Sequence, residues 1–542
     1  MPSDKVNNVQ QQSIVASGKS RREQRVPRPS LLGTTEFKFY YLLYITVVPY
    51  MAYSMYQASS PQRPEYALYE HELSPGWMFG RKIDLSDGQW DMFRSHLPTF
   101  TLAMSAFVIF NRTLYQKGRF QRCVVLSGTS VLFIGALAGG NYLLAKRLAG
   151  RRWAPLVFWA YNIAMLFSNE RYRGYSFKSI ATPLAWMDDW RGIMRRWDIT
   201  FNLTMLRMVS FDMDYHWRVC RERDMASQQL DNLALSVSTA KERIEQPSIG
   251  REYCFTNYWA YLMYPPLYMT GPIITFNDFV AQMRKPSVGS WRTTVLYGVR
   301  LVVAALLMEL ILHTVHCVAI SKWAQWNYYS VFEISLMAYM RLTFIWLKLL
   351  IIWRFARFWA MADGLDTVEN MRRCMSTNYS LQQFWRDWHC SYNRWLVRYL
   401  YIPLGGRNTS PWNIFVVFTF VALWHDLSMR LLQWGWIIAL LFLPEGLATW
   451  YFARPRWSES PHFRYICAVG GALNIIGMMI GNLVGFGDAG VDKMLTKIFS
   501  RESTVFLAVT YPILICHLQM VFELREHEYR KQYYATHRRQ MC

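Results

Sequence analysis

Apolar segments long enough to cross a bilayer recur along most of the chain. The first, residues 37–56 (FKFYYLLYITVVPYMAYSMY), would span a bilayer core as a helix with a rise of ~1.5 Å per residue. A shorter segment near residues 176–187 is typical of a re-entrant element. The pattern predicts an all-α polytopic membrane protein with ten to twelve membrane segments, some of them re-entrant. The other apolar segments lie near 98–115, 121–146, 153–167, 255–275, 293–320, 331–353, 412–426, 431–452, 463–486 and 504–523.

Polar segments divide the chain into three regions. Residues 1–35 are rich in Gln, Ser and Arg and predict a basic disordered arm. Residues 36–525 predict one membrane domain, within which 218–252 is a polar internal segment. Residues 526–542 predict a basic tail. Because both ends are basic, the positive-inside rule places both on the cytoplasmic side and predicts an even number of crossings.

Composition supports a membrane location and argues against other classes. Hydrophobic residues make up 52% of the chain and aromatic residues 16%, and the net charge is +22. The basic residues lie between apolar segments, whereas a nucleic-acid-binding protein would gather them on a soluble face, so we expect no nucleic-acid partner. The nine cysteines include no C-x-x-C pair, and their spacing predicts neither a disulfide framework nor a zinc site.

Residues 381–406, LQQFWRDWHCSYNRWLVRYLYIPLGG, combine many aromatic residues with several charged and polar ones. If the segment forms one continuous helix, Trp385, His389 and Asn393 recur at every fourth position and share one face. A polar face inside a bilayer must meet protein or a water-filled cavity, because exposing each group to lipid costs several kcal/mol. The segment therefore predicts an internal site, and its IPLGG ending predicts where the helix stops.

A second unusual segment, residues 415–429 (FVVFTFVALWHDLSM), places His425 and Asp426 between two apolar runs. Taken alone, His425 is better explained by a structural hydrogen bond. Together with His389 it indicates a site, because adjacent helices joined by a short loop bring the two rings together. A neutral imidazole near pH 7 accepts a proton from a hydroxyl, as acyl transfer to an alcohol requires. Proton-coupled transport uses the same residue types and is the alternative.

The stretches FWRDWHCSYNRWLVRYLYIPLGG and ALWHD resemble the membrane-bound O-acyltransferase superfamily. Four more, TEFKFYYLLY, WMFGRKIDLSDGQWDMFRSHLP, RMVSFDMDYHW and YLMYPPLYMTGPIITFNDF, resemble its fungal glycerol-uptake branch, which is related to Hedgehog acyltransferase. The likeness covers roughly residues 35–525. It implies a multi-helix membrane bundle with an internal tunnel, in which an acyl group moves from acyl-CoA to a hydroxyl or an amine.

The resemblance also implies residue roles and a task. The family's histidine falls on His425, as general base, and the partner position, which is Asn or Asp in other branches, falls on His389. The fungal branch implies remodelling of glycosylphosphatidylinositol (GPI) anchors, in which a long acyl chain is added to a lyso-anchor lipid. The implied partners are membrane lipids, acyl-CoA and the lyso-anchor, and the implied location is the endoplasmic reticulum membrane, with the plasma membrane as alternative. A glycerol or polyol transporter is the competing function, and a non-catalytic scaffold is a second rival.

Other residues of the two motifs are assigned supporting roles. The arginines either bind the phosphates of CoA or act as interfacial charges. Trp385 and Trp424 either line the tunnel or only pack against neighbouring helices. Asn393 either supports the site or forms a hydrogen bond between two helices. The residues are Trp385, Arg386, Asn393, Arg394, Arg398, Trp424 and Asp426.

The stretch RRCMSTNYSLQQFWRDWH resembles a Cys-x-Ser-Thr pattern of Hedgehog acyltransferase, where the cysteine ligates a haem iron. The corresponding residue is Cys374. Thiolate ligation of haem is chemically reasonable, and an ordinary interfacial thiol is the alternative. Glu309, His313 and His316 fall at helical spacing in an apolar segment, and we expect them to make hydrogen bonds between helices rather than to hold a metal.

Overall fold

The computed structural model describes residues 26–113, 128–190, 196–409, 412–487 and 490–541. Helices dominate these ranges, and the one β-bridge described joins Ser74 to Ile83. The α-helices of at least seven residues are α1 (Thr35–Ala58), α2 (Gly88–Ser95), α3 (Leu97–Thr113), α4 (Val131–Leu148), α5 (Ala154–Tyr172), α6 (Trp197–Arg221), α7 (Ser227–Ser236), α8 (Phe255–Leu262), α9 (Phe276–Arg284), α10 (Trp291–Thr314), α11 (Cys317–Trp323), α12 (Val331–Ala362), α13 (Leu381–Asp387), α14 (Cys390–Leu396), α15 (Trp412–His425), α16 (Met429–Phe452), α17 (Phe463–Phe486), α18 (Val491–Ile498) and α19 (Thr504–Met541). Shorter helical turns are Tyr66–Tyr69, Glu70–Glu72, Gly128–Ser130, Phe177–Ile180, Ala240–Glu245, Gly250–Glu252, Pro265–Met269, Trp326–Tyr328, Met375–Thr377, Gly406–Thr409, Pro455–Ser458 and Arg501–Ser503. Thr182–Asp189 forms an eight-residue 3-10 helix, and Val397–Tyr401 forms a π-helical turn.

Six of the described helices are long and apolar enough to cross a membrane, namely α4, α10, α12, α16, α17 and α19. The helices α3 and α15 are apolar but shorter. The predicted all-α polytopic architecture is thus confirmed, and the larger predicted number of segments includes such short elements. Helix α12 is buried over most of its surface and forms the centre of the bundle, whereas α10 exposes a row of valines and leucines suited to lipid.

The loop before α2 is held inside the bundle by a buried ion pair. Asp87 caps α2 by accepting a hydrogen bond from the Trp90 backbone N–H at 2.8 Å, as its position before Gly88 predicts. Its carboxylate also accepts from Lys348 Nζ on α12 at 2.8 Å. A lysine within a membrane helix needs such a partner, so Asp87 couples the loop before α2 to the central helix α12.

Glu309 and His313 of α10, and His316 just after it, bind α2 and the loop before α2. Glu309 accepts from Arg94 Nε at 2.6 Å and from Trp77 Nε1 at 2.8 Å. His313 Nε2 accepts from the Trp77 backbone N–H at 3.2 Å, and His316 Nε2 lies 3.3 Å from the Lys82 carbonyl oxygen. Glu309, His313 and His316 thus form hydrogen bonds with α2 and with the loop that precedes it.

Three glycines on α17 allow close packing against α16. A methyl group added at Gly477 would meet Leu441, one at Gly481 would meet Ile438, and one at Gly485 would meet Trp434. The glycines recur at every fourth position and so lie on one face of α17. Small residues at such positions let helix backbones approach in a membrane, and here they set the place of Trp434 on α16.

Gly485→Ala is expected to destabilise the protein, and Gly470→Ala on the same helix is not. The added carbon at Gly485 would lie 2.6 Å from Trp434 Cγ, an overlap that typically costs about 1–3 kcal/mol. Gly470 has no heavy atom within 4 Å of that position, so alanine there is expected to stabilise α17 by roughly 0.5–1 kcal/mol. Melting temperatures of the two variants in the same detergent should move in opposite directions; a shared direction would contradict the packing described.

The two ends of the described chain meet at α19. Glu526 accepts from the Arg28 backbone N–H at 2.8 Å, and Glu523 accepts from Ser30 Oγ at 3.2 Å. Arg530 donates to Glu523 at 2.6 Å and to the Arg28 carbonyl oxygen at 3.0 Å. Helix α19 continues across the predicted boundary at residue 525, and of the predicted arm only residues 26–35 lie within the described ranges.

Candidate active site

The motif around His389 forms two short helices rather than one. Helix α13 ends at Asp387 and α14 begins at Cys390, and His389 between them has a left-handed backbone with φ of 43° and ψ of 52°. The expectation that Trp385, His389 and Asn393 share one face of a continuous helix is therefore wrong. A positive φ at a non-glycine residue is uncommon and persists where surrounding contacts hold it.

Asn370 holds the break between α13 and α14. Its carbonyl oxygen accepts from the Cys390 backbone N–H at 3.0 Å, and its side-chain oxygen accepts from that of Ser391 at 3.1 Å. These donors open α14 and would otherwise lack partners. At the other end of the motif, the helix passes into the π-helical turn, and Gly405 and Gly406 then adopt positive φ, as the IPLGG ending predicts.

The His389 ring lies against aromatic side chains. It stacks on Trp353 of α12 with ring centres 4.3 Å apart and an interplanar angle of 22°. The ring of Tyr392 lies 5.2 Å from it. Its Nε2 atom is buried and has no hydrogen-bond partner within the described part of the chain. The ring is thus fixed in orientation while one nitrogen stays available.

His425 is the last residue of α15, and aromatic edges surround it. Its ring centre lies 4.9 Å from that of Trp424, 5.8 Å from Phe486 and 6.2 Å from Trp434, each at a steep angle. Asn202 of α6 accepts from Trp424 Nε1 at 2.9 Å and donates to the Trp424 carbonyl oxygen at 3.0 Å. This reciprocal pair satisfies a carbonyl at the end of α15 and holds His425 in place.

His389 and His425 line the same internal cavity, which has a volume of about 660 Å³. His425 is exposed to this space although protein surrounds it. The cavity also reaches Ile414, eleven positions before His425, and this separation corresponds to roughly 16 Å along α15. Most of the wall is aliphatic or aromatic; polar exceptions are Gln89, Thr200, Asn202, Thr270, Ser376, Asn378, Gln382, Arg386, Asn393, Arg407 and Asn482.

The structure brings together most of the predicted site residues. Trp385, Arg386, Asn393 and Trp424 line the cavity with the two histidines, whereas Arg394, Asp426 and Cys374 do not. Asp426 follows His425 directly and is exposed.

Arg398 is committed to an ion pair. Its Nη2 donates to Asp214 at 3.0 Å, and its guanidinium lies over the Trp217 ring at 4.8 Å. It lines a second, smaller cavity of about 340 Å³. The pairing with Asp214 makes Arg398 a structural contact between α6 and the π-helical turn.

Several residues of the site were not anticipated. Tyr392 lies inside the quoted motif, but a pattern of residue types does not tell which hydroxyl lacks a partner. Trp353 and Asn202 lie far from both motifs in sequence and reach the site only through packing of α12 and α6. Arg407 directly follows IPLGG, a stretch that predicted only the end of a helix.

Cys374 is exposed and lies outside the main cavity. Its Sγ lies 3.7 Å from Ser376 Oγ, and its neighbours in sequence include two arginines and a threonine. A thiol in this position is accessible to a ligand. Haem binding stays a prediction from the resemblance, and no step is derived through it.

The helical membrane bundle and its enclosed histidine-lined cavity describe a polytopic membrane enzyme. The chain belongs to the membrane-bound O-acyltransferase family, whose sequence profile matches residues 153–487. It is 41% identical over 528 residues to the membrane-bound O-acyltransferase GUP1 of Saccharomyces cerevisiae, covering 94% of each chain. It is 37% identical to the membrane-bound O-acyltransferase gup1 of Schizosaccharomyces pombe, covering 93% of this chain and 90% of the relative.

A more distant relative is the protein-cysteine N-palmitoyltransferase HHAT of Mus musculus, which is 29% identical over 195 residues, or 34% of this chain and 39% of the relative. The predicted superfamily and its fungal branch are confirmed. The protein is a membrane-bound acyltransferase, and acyltransferases of this family use donors of the acyl-CoA type.

Proposed function

We propose that this protein transfers a long fatty acyl chain from acyl-CoA to a hydroxyl of a lyso-GPI anchor lipid in the endoplasmic reticulum membrane. The observation that carries the proposal is that His389 and His425 border one cavity with largely apolar walls. An apolar passage suits an acyl chain, and two imidazoles suit proton transfer and binding of a hydroxyl. The near full-length similarity to GUP1 supports the same reaction class.

In this proposal His425 is the general base. It takes the proton of the acceptor hydroxyl, and the acceptor oxygen attacks the thioester carbonyl carbon. The exposure of His425 to the cavity leaves room for a substrate beside the ring. His389 orients the acceptor through its unpartnered Nε2, and Asn393, on the next helical turn, supports the same side of the cavity.

Both guanidinium groups and apolar side chains line the cavity. Arg407 lies at the end near Ile414, because Asn413 donates to the Gly406 carbonyl oxygen at 3.0 Å. We assign the CoA phosphates to Arg407 and Arg386, since guanidinium groups bind phosphates well. The apolar residues Phe418, Phe442, Ile475, Met478 and Met479 then receive the acyl chain. Arg398, in its ion pair with Asp214, is left out of this assignment.

The test uses the full chain purified into lipid nanodiscs with radiolabelled acyl-CoA and a lyso-GPI lipid. We expect label to appear in the diacyl product and the anchor's sn-2 chain to change in cells that lack the gene, as read by lipid mass spectrometry. The same preparation in proteoliposomes serves as a control for uptake of labelled glycerol. Concentrative uptake without acyl transfer would overturn the proposal in favour of a polyol transporter.

A further inference from the structure

Three polar atoms on side chains that line the main cavity are buried without a hydrogen-bond partner among the described residues. They are Trp385 Nε1, His389 Nε2 and the Tyr392 hydroxyl. Most buried polar atoms in proteins have a partner, because leaving one unpaired costs free energy. The first two belong to residues already assigned to the site, whereas the hydroxyl of Tyr392 has no role in the reaction as described so far.

Tyr392 packs against His389 and against Trp424, the residue that precedes His425. Its side chain is only 5% exposed. Its ring centre lies 5.2 Å from that of His389 and 4.6 Å from that of Trp424, whose ring is in turn 4.9 Å from His425. Rings of His389 and Trp424 therefore pack against the Tyr392 ring.

Burial alone does not explain the missing partner. Fully buried tyrosines elsewhere in the bundle donate to oxygen atoms: Tyr253 to Asn277 at 2.7 Å, Tyr261 to the Ile274 carbonyl at 2.7 Å and Tyr258 to that of Ala138 at 3.2 Å. Tyr69 also has a buried hydroxyl without a partner among the described residues, but it does not line the cavity. Tyr392 combines an unpaired hydroxyl with a position in the cavity wall.

We propose that the Tyr392 hydroxyl donates a hydrogen bond to the carbonyl oxygen of the acyl donor and to the oxyanion formed from it. This assignment rests on the proposed function. The acceptor oxygen bonds to the carbonyl carbon as His425 takes the acceptor proton, and the C=O π electrons move to the carbonyl oxygen. The carbonyl then re-forms, the C–S bond breaks, and the departing thiolate receives the proton from His425. Tyr392 keeps its own proton, so the products are the ester and CoA.

Tyr392→Phe tests the assignment because it removes only the oxygen. We expect kcat to fall about 10²-fold, as for loss of one oxyanion donor in other enzymes, with little change in KM for acyl-CoA. The melting temperature should stay the same or rise, because the variant removes an unpaired buried hydroxyl. Tyr69→Phe is the matched control: it also removes an unpaired buried hydroxyl, but outside the cavity, and should leave kcat unchanged.

Each other outcome counts against the assignment. Wild-type kcat in Tyr392→Phe would mean that the hydroxyl does not assist the reaction. A raised KM with unchanged kcat would assign it to ground-state binding, and a lower melting temperature or poor yield would assign it to structure. If the wild-type protein itself transfers no acyl group, the proposed function fails and takes this assignment with it; an active wild type with an equally active Tyr392→Phe overturns this assignment alone.

Discussion

His425→Ala is expected to remove nearly all acyl transfer while the protein still folds. A positioned general base contributes about 10²–10⁴-fold to a rate, and the His425 ring faces the cavity where the acceptor would lie. The Asn202–Trp424 pair that holds the end of α15 does not involve the His425 side chain, so it remains in the variant. The measurement is the initial rate of labelled ester formation in nanodiscs, together with the elution profile on gel filtration.

His71→Ala provides a matched control for this prediction. The His71 ring meets Trp323 edge-on with ring centres 4.9 Å apart, the same separation as between His425 and Trp424. Both histidines are exposed, but His71 does not line the main cavity. We expect wild-type rates from His71→Ala. Normal transfer by a well-folded His425→Ala would refute the base assignment.

Replacing His389 is expected to produce the second large loss of acyl transfer. The choice of replacement separates the role of the imidazole ring from that of the backbone conformation. His389 has a left-handed backbone, which glycine adopts freely and asparagine tolerates better than most residues. His389→Gly keeps the break between α13 and α14 but removes the imidazole, so kcat should fall roughly 10²–10³-fold, a range seen for lost polar stabilisation at reacting oxygens. His389→Asn keeps a polar side chain and should retain more activity than the glycine variant.

The melting temperatures of the two variants are measured first, to check that both fold as stably as each other. Their rates are then compared at saturating acyl-CoA. If His389→Gly matches the wild type, the residue serves only the backbone turn. If both variants are equally inactive, a property specific to imidazole is required, and orientation of the acceptor by any polar group is not enough.

The sequence predicts the helical membrane architecture well because apolar length is a local property. The cap at Asp87 and the helix stop at IPLGG are confirmed for the same reason, since capping and turn preferences act over a few residues. The convergence of His389 and His425 on one cavity also follows from two short motifs and a short loop between them.

The break between α13 and α14 could not be predicted in this way. Residues 381–396 contain no proline or glycine, and the interruption depends on Asn370, which acts from outside the motif. The ion pair that keeps Arg398 out of the main cavity likewise depends on Asp214, more than 180 positions away in the chain. Partners brought together by tertiary packing thus decide which polar residues of the motif face the cavity.

The contacts of Arg28 and Ser30 with α19 have a practical consequence for work in cells. Because Arg28 lies against Glu526 and Arg530, these three residues lie on the same face of the bilayer. Two halves of a split fluorescent reporter, fused through linkers before residue 26 and after residue 541, would therefore reassemble within a single compartment, and the colour of a pH-sensitive version would reveal which compartment that is.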